Sequence, residues 1–583
     1  MKKNGRIAAV LAVAILAAIL VFLPTIGGAD VTQFQAKVEQ LRQEALADWV
    51  REELGDAPAG GAGQAVFLSV SNGTERASVY TGTGQTLDDA WASAAEQAEK
   101  ALRKSGATPR WIKADLVYFS GVVTADSLAQ AMRDTREGFF RYGAAFDGGF
   151  QTALLEAELN SAGIYDYENG GVDLEALNQY LKTAGRERLD ALPSEYTLFQ
   201  CASWLCDEVG TVRQLSAAGL DYGRRSIDPI TGEFAQALVL DAAGFLEEQV
   251  QKDGTFLYGM DPRFDKPLKS YNILRHAGSL WSMICAYRLN PSDSLREKID
   301  LAAEYLVSQV RYDDEGRAFV YEEKSDEIKL GGCGLGIIAL TEYMDVFQDS
   351  RYLYVSKALG DGILSLMDRS AGTYYHVLNG DFSRKEEERT VYYDGEATFA
   401  LCRLYGVTED RTYLEAAQAA VNHFILADYT QYCDHWVSYA MNEITKYIPD
   451  SATYYAFGLE NVQKNLAKIA RQETTSHIYL ELLMAGFELY DRMIANGGSS
   501  AGFDLPAFLE AIRTRTDRQL NGYFFPEYAM YMANPERILG TFMVRQDGFR
   551  VRIDDVQHNL GGYYLYQKNY EKLMALGLYD AAG

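Results

Sequence analysis

Four acidic side chains lie at the starts of segments with helical patterning, where carboxyl groups could carry out general acid–base chemistry. Asp394 and Glu396 open one segment and stand two residues apart, while Asp434 and Asp555 begin two later ones. Proton transfer needs one group that holds a proton and another that accepts it. We expect these four carboxyls to be catalytic if folding gathers them. Asp394 could instead cap its helix, because acidic residues favour helix N-termini.

Histidine, arginine and tyrosine side chains occupy comparable positions and form a second candidate set. His435, Tyr439 and Glu443 are four residues apart, which places them on one face of a helix. A histidine changes its protonation near neutral pH and so can act as an acid or a base. Each histidine could equally be a hydrogen-bonded core residue. The residues expected to bind substrate are Arg275, His276, Tyr393, His435, Tyr439, His477 and His558.

From about residue 228 the chain reads as repeated pairs of helices that would bring these side chains together. One helix of each pair has an apolar stripe and a charged face, and the other is apolar nearly all round, as at 335–340 and 397–404. The first members begin near Ala235, Ser294, Arg351, Arg411, Ala452 and Leu505. The second members begin near Tyr271, Ile328, Val391, Cys433, Glu473 and Ile553.

These six pairs predict a closed ring, an (α/α)6 toroid, with the apolar members inside. A glycine turn followed by a short aromatic segment recurs between paired helices, as in Asp253-Gly-Thr-Phe and Asn521-Gly-Tyr-Phe. In a closed ring the ends of the inner helices converge on a funnel, so polar residues that are distant in the sequence meet there. An open solenoid of stacked helix pairs is the alternative.

Two stretches at predicted inner-helix starts, Tyr392-Tyr-Asp-Gly-Glu-Ala-Thr-Phe and Tyr271-Asn-Ile-Leu-Arg-His-Ala-Gly, resemble the six-hairpin glycosidase superfamily. That superfamily includes glycoside hydrolases, N-acylglucosamine 2-epimerase-like proteins and the helical domain of D-glucuronyl C5-epimerases. The resemblance covers about residues 228–580. It implies an enzyme that acts on a polysaccharide or oligosaccharide.

Glycoside hydrolysis is the first activity that the resemblance implies. It needs a protonated carboxyl at the leaving oxygen and a second carboxylate, which Asp434, Asp554 or Asp555 could supply across the ring from Asp394 and Glu396. Sugar epimerisation comes second and would use two histidines as bases, for example His276 with His435. A protein that only binds glycans or assists envelope assembly is the third hypothesis.

Zinc is a further alternative, because lanthionine-cyclase-type toroids bind this metal through cysteine and histidine. Cys333, Cys433 and His435 belong to inner-helix starts. The match to a zinc site is poor, since the sequence has no Cys-His dipeptide and no third thiolate at a matching position. We therefore expect no metal and no cofactor.

The segment before the ring has the pattern of a smaller α+β domain. Strands are predicted at 64–71 and 76–82, a helix at 86–105 that opens with a capping signal, and a strand at 111–120. The continuation to residue 227 gives no clear pattern. The expected organisation is a signal peptide or membrane anchor (1–29), a helical segment and linker (30–63), the α+β domain (64–227) and the toroid (228–583).

Composition restricts the location and the partners of the protein. The 583-residue chain has a formal net charge of −26, which argues against nucleic acid as a partner. Its N-terminus begins Met-Lys-Lys and continues with an apolar run at 7–23, as in a signal peptide or an uncleaved anchor. We expect an exported protein, held by this membrane helix or secreted. The six cysteines include no CxxC pair and are predicted to be isolated buried thiols.

Overall fold

The computed structural model describes residues 31–51, 64–385 and 391–580. The predicted signal peptide or anchor at 1–29 lies outside the described residues, as does most of the predicted linker. Within the described ranges one helix, Leu330–Phe347, is long and apolar enough to cross a membrane, and 83% of it is buried inside the protein. Burial of this extent is what a core helix shows.

The N-terminal part is built on one antiparallel sheet with helices on its faces. The elements are α1 (Val31–Arg51), β1 (Gln64–Ser71), β2 (Ser78–Gly84), α2 (Leu87–Ser105), β3 (Trp111–Thr124), α3 (Ala125–Arg133), β4 (Gly143–Ala145), β5 (Ala153–Leu154), α4 (Glu156–Ser161), β6 (Tyr165–Asp166), β7 (Gly171–Val172), α5 (Leu174–Thr183), β8 (Glu195–Cys206) and β9 (Val212–Gln214). Strand order in the sheet is β2-β1-β3-β8-β4-β5, and β9 pairs with β8. The predicted strands and helix are present, and the long strand β8 lies in the region whose pattern was unclear.

The remainder of the chain alternates helices with short strand segments. Its first elements are α6 (Gly232–Gln249), β10 (Gly259–Asp261), β11 (Lys266–Pro267), α7 (Ile273–Tyr287), α8 (Asp293–Ser308), β12 (Val310–Tyr312), β13 (Ala318–Glu322), β14 (Glu327–Lys329), α9 (Leu330–Phe347) and α10 (Leu353–Ser365). Its later elements are β15 (Met367–Asp368), β16 (Thr373–Tyr374), β17 (Val377–Asn379), α11 (Tyr393–Thr408), α12 (Arg411–Leu426), α13 (His435–Tyr447), α14 (Ala452–Gln463), α15 (Leu466–Arg471), α16 (Ile478–Ala495), α17 (Leu505–Gln519), α18 (Pro526–Ala529), β18 (Val551–Arg552) and α19 (Ile553–Ala575).

Six helices form a closed inner ring. Contacts run in order from α7 to α9, α11, α13, α16 and α19, and α19 returns to contact α7. Each inner helix also packs against an outer partner, and α19 packs against α6, so the last hairpin meets the first. The prediction of a closed ring is confirmed, and an open solenoid is excluded. Inner helices that are apolar on all sides are buried on all sides, as α9 is from Leu330 to Met344.

The sheet and the ring share a hydrophobic core. Met530 and Tyr531, from the chain between α17 and α19, are buried among apolar side chains of the sheet such as Phe67. The Tyr531 hydroxyl lies 2.8 Å from the Ser69 hydroxyl, and the amide of Ala77 donates to the carbonyl of Met530 at 2.7 Å. The two parts are therefore joined by buried apolar contacts and by hydrogen bonds.

All six cysteines are free and buried, as the sequence predicted. Cys201 and Cys206 both lie on strand β8 rather than on a helix. Burial raises the pKa of the Cys201 thiol well above its usual range. These thiols behave as small apolar groups of the core.

Candidate functional site

The first turns of the inner helices meet at one mouth of the ring. Arg275 of α7 forms an ion pair with Asp554 of α19 at 2.8 Å. The space beside Gly331 of α9 is filled by the Glu396 carboxyl of α11. We call this mouth the cup. The positive ends of several helix dipoles surround it, where they favour negative charge on a ligand.

Three side chains from three inner helices lie in contact at the centre of the cup. The Nδ1 atom of His558 is 2.6 Å from a carboxylate oxygen of Glu481, and that carboxylate also accepts a hydrogen bond from the Tyr439 hydroxyl at 3.0 Å. The ring centroid of His435 is 5.0 Å from that of His558. We call His435, Glu481 and His558 the histidine cluster. His477 stacks on the outer side of His558, with 5.0 Å between centroids.

The pKa values of the two clustered histidines are shifted in opposite directions. Burial opposes a charge on both rings, and the neighbouring His558 and His477 add to this at His435, so the pKa of His435 lies well below its usual value. At His558 the Glu481 carboxylate outweighs burial and raises the pKa. Neither ring nitrogen of His435 has a hydrogen-bond partner among the described residues. A neutral imidazole with free nitrogens therefore adjoins an imidazole that favours the protonated form.

Aromatic rings close the floor beneath this cluster. Trp281 lies at the centre, 5.9 Å from Trp436, 5.6 Å from Tyr439 and 6.1 Å from Phe399, measured between ring centroids. Trp436 is fully buried. The floor excludes water from below, so electrostatic interactions in the cup are stronger than in solution.

Glu396 and Asp434 form a second group, the carboxyl pair, beside the histidine cluster. Both are buried, and one oxygen of each, Oε2 and Oδ2, has no hydrogen-bond partner in the described part of the chain. Asp434 also caps α13, because its Oδ1 accepts from the amide of Trp436 at 2.8 Å. Burial and the Asp434 charge raise the pKa of Glu396 well above its usual range, and burial raises that of Asp434 likewise. Both shifts favour the protonated form of the carboxyl.

Asp394 lies in the wall of the ring and not at the centre of the cup. Its oxygens accept hydrogen bonds from the Tyr429 hydroxyl at 2.8 Å and contact His376 Nε2 at 2.9 Å. It does not cap α11, whose N-cap residue is Tyr392. Tyr393, at the next position before it, lies at the rim with its ring 5.7 Å from that of His376.

Asp555 is held by arginines, so its predicted catalytic role does not fit its surroundings. The carboxylate is fully buried and accepts from Arg550 at 3.0 Å and from Arg552 at 3.5 Å. Burial, with the charge of Asp554, raises its pKa to about 6. This ion-pair network braces the first turn of α19, where His558 stands one turn further along.

His276 and Glu443 are also placed away from the cup. The His276 ring is fully buried and bonds the Tyr271 hydroxyl and the carbonyl of Ala302 in the outer helix α8, both at 2.8 Å. The structure thus places His276 as a hydrogen-bonded core residue between α7 and α8 and does not bring it to the other predicted site residues. Glu443 bonds Lys446 at 2.5 Å, two turns down α13 from His435.

Glu481 is the site residue that sequence reasoning missed. It stands in an otherwise apolar stretch at the start of α16 and is fully buried. A lone acidic residue in such a stretch is costly to bury unless it has partners, which was the available signal. Its partners, Tyr439 and His558, come from helices that are distant in the sequence.

The histidine cluster also has the donor set of a metal site. One ligand atom each from His435, Glu481 and His558 lies within 4.8 Å of the others. The cysteines of the zinc alternative do not join them, because the Cys333 thiol accepts from the amide of Val320 at 3.3 Å. The His558 Nδ1 atom and one Glu481 oxygen already share a hydrogen bond at 2.6 Å, so neither is free to bind a metal ion. A hydrogen-bonded acid–base group fits these contacts better than a ligand set does.

Comparison with known proteins finds likeness in structure. Neither a protein-family model nor the sequence of a curated protein matches the chain. A D-mannose isomerase is 12% identical with a TM-score of 0.45, covering 58% of this chain and 97% of its own. A cellobiose 2-epimerase from Bacillus thermoamylovorans is 13% identical with a TM-score of 0.47, covering 59% and 100%. A family 76 glycoside hydrolase from a bovine Bacteroides thetaiotaomicron strain is 10% identical with a TM-score of 0.43, covering 79% and 97%.

These solved structures are carbohydrate-processing enzymes by name, and each is similar to this chain rather than a proven relative. The ring of this chain closes through contacts between its own first and last helix pairs. The (α/α)6 ring that the sequence predicted is therefore present in this chain.

Proposed function

We propose that the protein is a sugar isomerase that moves a proton between neighbouring carbons of an open-chain sugar. The observation that carries this proposal is the contact between the rings of His435 and His558. The His435 ring favours the neutral form, and its nitrogens have no hydrogen-bond partner among the described residues. The Glu481 carboxylate contacts His558 and favours its protonated form. Such a pair supplies a base and an acid side by side.

The proposed reaction passes through an enediol. A nitrogen of His435 takes the proton from the carbon next to the carbonyl, and the electrons of that C–H bond form a carbon–carbon double bond. The carbonyl oxygen takes a proton from His558 as its π bond breaks. His435 then returns the proton to the former carbonyl carbon. The hydroxyl group on the neighbouring carbon loses its proton to His558 and becomes the new carbonyl, which gives the isomer. Surrounding helix N-termini stabilise negative charge on the oxygens during the transfer.

Epimerisation is less suited to this geometry. Inversion at one carbon needs a base on each face of the substrate, whereas the His435 and His558 rings are in contact with 5.0 Å between centroids. Two groups on the same side of the substrate suit transfer between adjacent carbons through a cis-enediol.

Deuterium exchange tests the proposal directly. The purified protein is incubated in D2O with a panel of reducing mono- and disaccharides, and NMR measures deuterium at the carbon beside the carbonyl and any new ketose or aldose. We expect exchange with wild type, and a loss of about 100-fold or more in His435→Gln and His558→Gln. His423→Gln, on the outer helix α12, is the matched control and keeps activity. Absence of exchange with every sugar refutes the proposal.

Glycoside hydrolysis is the second candidate, because the carboxyl pair has the features of a general acid beside a carboxylate. Glu396 Oε2 is unbonded and its pKa is raised, and Asp434 lies close enough to influence it. The substrate would be a cell-envelope or environmental polysaccharide. The test measures the release of reducing ends from such polysaccharides. Loss of this release in Glu396→Gln, together with its retention in His435→Gln, supports hydrolysis over isomerisation. Asp394→Asn is expected to weaken either activity through the wall of the cup.

We also propose that the protein works outside the cytoplasm, as an anchored or secreted enzyme. The support is the sequence alone, in which a basic start precedes the apolar run at 7–23. A reporter enzyme that is active only after export, fused behind residue 63, should show activity. Removal of residues 1–29 should abolish that signal.

A further inference from the structure

A second cavity lies in the N-terminal part of the chain, away from the cup. It has a volume of about 720 Å³ and is bounded by strand β2, helix α2 and the segment 150–186. Sites for small organic ligands have volumes of roughly 300–1,000 Å³, so this cavity is of ligand-binding size.

The cavity is cationic although the chain is strongly acidic. Its walls carry four cationic side chains, Arg76, Lys100, Lys104 and Arg186. Among the described lining residues the one carboxylate is that of Glu158. The whole chain has 55 lysines and arginines against 81 aspartates and glutamates. A concave site that concentrates the minority charge attracts ligands of the opposite sign.

The two lysines present free charges to the cavity. Lys100 and Lys104 are four residues apart on α2, so both project from one face of that helix. Both are exposed. Within the described ranges, neither has a carboxylate at ion-pair distance.

The two arginines are fixed by groups that leave their charge in place. Arg186 donates to the carbonyl of Gln151 at 3.1 Å. Arg76 donates to the Ser161 hydroxyl at 2.9 Å and to a backbone carbonyl at 2.6 Å. These acceptors are neutral, and the Glu158 carboxylate offsets part of the charge of both arginines. With four cationic side chains against one carboxylate, the described lining keeps a net positive charge for a ligand anion.

The remaining lining suits a carbohydrate. The Tyr180 hydroxyl donates to the buried Glu158 at 2.6 Å, and the Leu155 amide donates to the same carboxylate at 2.8 Å, so its oxygens are already bonded. Hydroxyl and amide side chains on the walls, among them Thr81 and Gln97, both donate and accept hydrogen bonds, as sugar hydroxyls require. The ring of Tyr80 adds a flat face for packing.

We infer that this cavity binds an acidic oligosaccharide, whose carboxylate, sulfate or phosphate groups pair with the four cations. The inference rests on the proposed function only in taking a carbohydrate as the ligand of the protein. It gives the N-terminal part a role in holding a charged glycan, separate from the acid–base groups in the ring.

Calorimetric titration with defined glycans tests this inference. The probes are an oligogalacturonate, a sulfated heparin oligosaccharide, a glycerol-phosphate oligomer and a neutral cello-oligosaccharide of similar length. We expect at least one acidic probe to bind, the neutral one not to bind, and affinity to fall as salt rises. The acidic probe that binds most tightly shows whether the natural ligand carries carboxylate, sulfate or phosphate groups.

Matched variants assign the binding to the cavity. Lys100→Gln with Lys104→Gln should weaken binding tenfold or more, whereas Lys357→Gln with Lys468→Gln, two exposed lysines on the ring, removes the same charge and should leave it unchanged. The titrations are repeated on His435→Gln, so a failed isomerase proposal leaves the binding result intact. The inference is overturned if both double variants lose affinity equally or if no acidic glycan binds. It is also overturned if an acidic peptide, titrated in the same way, binds as tightly as the glycans.

Discussion

At the scale of single residues, the cup holds its functional groups in states that cost stability. Glu396 and Asp434 are buried with unpaired oxygens, and His435 has no hydrogen-bond partner for its ring among the described residues. Unpaired polar groups of this kind destabilise a fold and are kept where function uses them.

Glu396→Gln should therefore stabilise the protein at neutral pH. The folded-state pKa of Glu396 is raised above its unfolded value of 4.5, so ionisation costs folding free energy once the pH exceeds that value. We expect a gain of about 1 kcal/mol or more at pH 7, equivalent to one pKa unit, and no gain near pH 4. Denaturant unfolding at both pH values measures it. A variant less stable than wild type at pH 7 would show that the carboxyl has partners in solution.

The pH dependence of activity should report His558. Glu481 raises its pKa against the effect of burial, so His558 keeps its proton to a higher pH than an ordinary imidazole, and kcat/KM should fall at alkaline pH as the proton is lost. In Glu481→Gln the raising charge is gone, and the alkaline limb should move to lower pH. Profiles of both proteins on the same sugar provide the measurement. An unmoved limb would remove His558 from the acid role.

At the scale of elements, the N-terminus of α9 contacts the cup through glycine. A Cβ on Gly331 would lie 2.0 Å from Glu396 Oε2 and 2.6 Å from the ring of Tyr393. A Cβ on the adjacent Gly332 would find its nearest neighbour, Val320, at 3.8 Å. The two positions differ only in the face of the helix that they occupy.

Gly331→Ala should displace Glu396 and lower both stability and activity. Gly332→Ala should retain activity and gain about 0.5–1 kcal/mol, because alanine loses less entropy than glycine in a helix. Thermal unfolding and turnover of the two variants provide the comparison. Equal behaviour would contradict the packing of Glu396 against Gly331.

The elements of the ring and several residues of its cup, among them His435 and His558, were predictable from the sequence, whereas the part played by Glu481 was not. Helical patterning placed the start of α12 at Arg411 and that of α14 at Ala452, as observed. Strand β8 was not predicted, since its apolar run lacks a clear alternation between flanking turns. The role of Glu481 depends on two other helices, and the outward direction of His276 depends on which face meets α8. Both are set by ring geometry, which local patterns do not encode.

At the scale of the whole molecule, the shared core predicts one unfolding unit. Tyr531 is 1% exposed and lies in the core of the sheet although it belongs to the ring. Tyr531→Ala should cost about 3 kcal/mol or more and lower the stability of both parts together. Tyr354→Ala, at a position 75% exposed, is the control and should have little effect. Two separate transitions in calorimetry would show that the parts unfold independently.

The return of α19 to α6 and α7 has a consequence for synthesis. A ribosome makes this helix after the other five inner helices, which therefore exist as an arc with bare apolar flanks before it emerges. A nascent or prematurely terminated chain therefore lacks both the final wall and His558, and no shortened product can carry out the proposed chemistry. Synthesis of α19 is itself the step that completes a working cup, and until then the growing arc needs protection from aggregation.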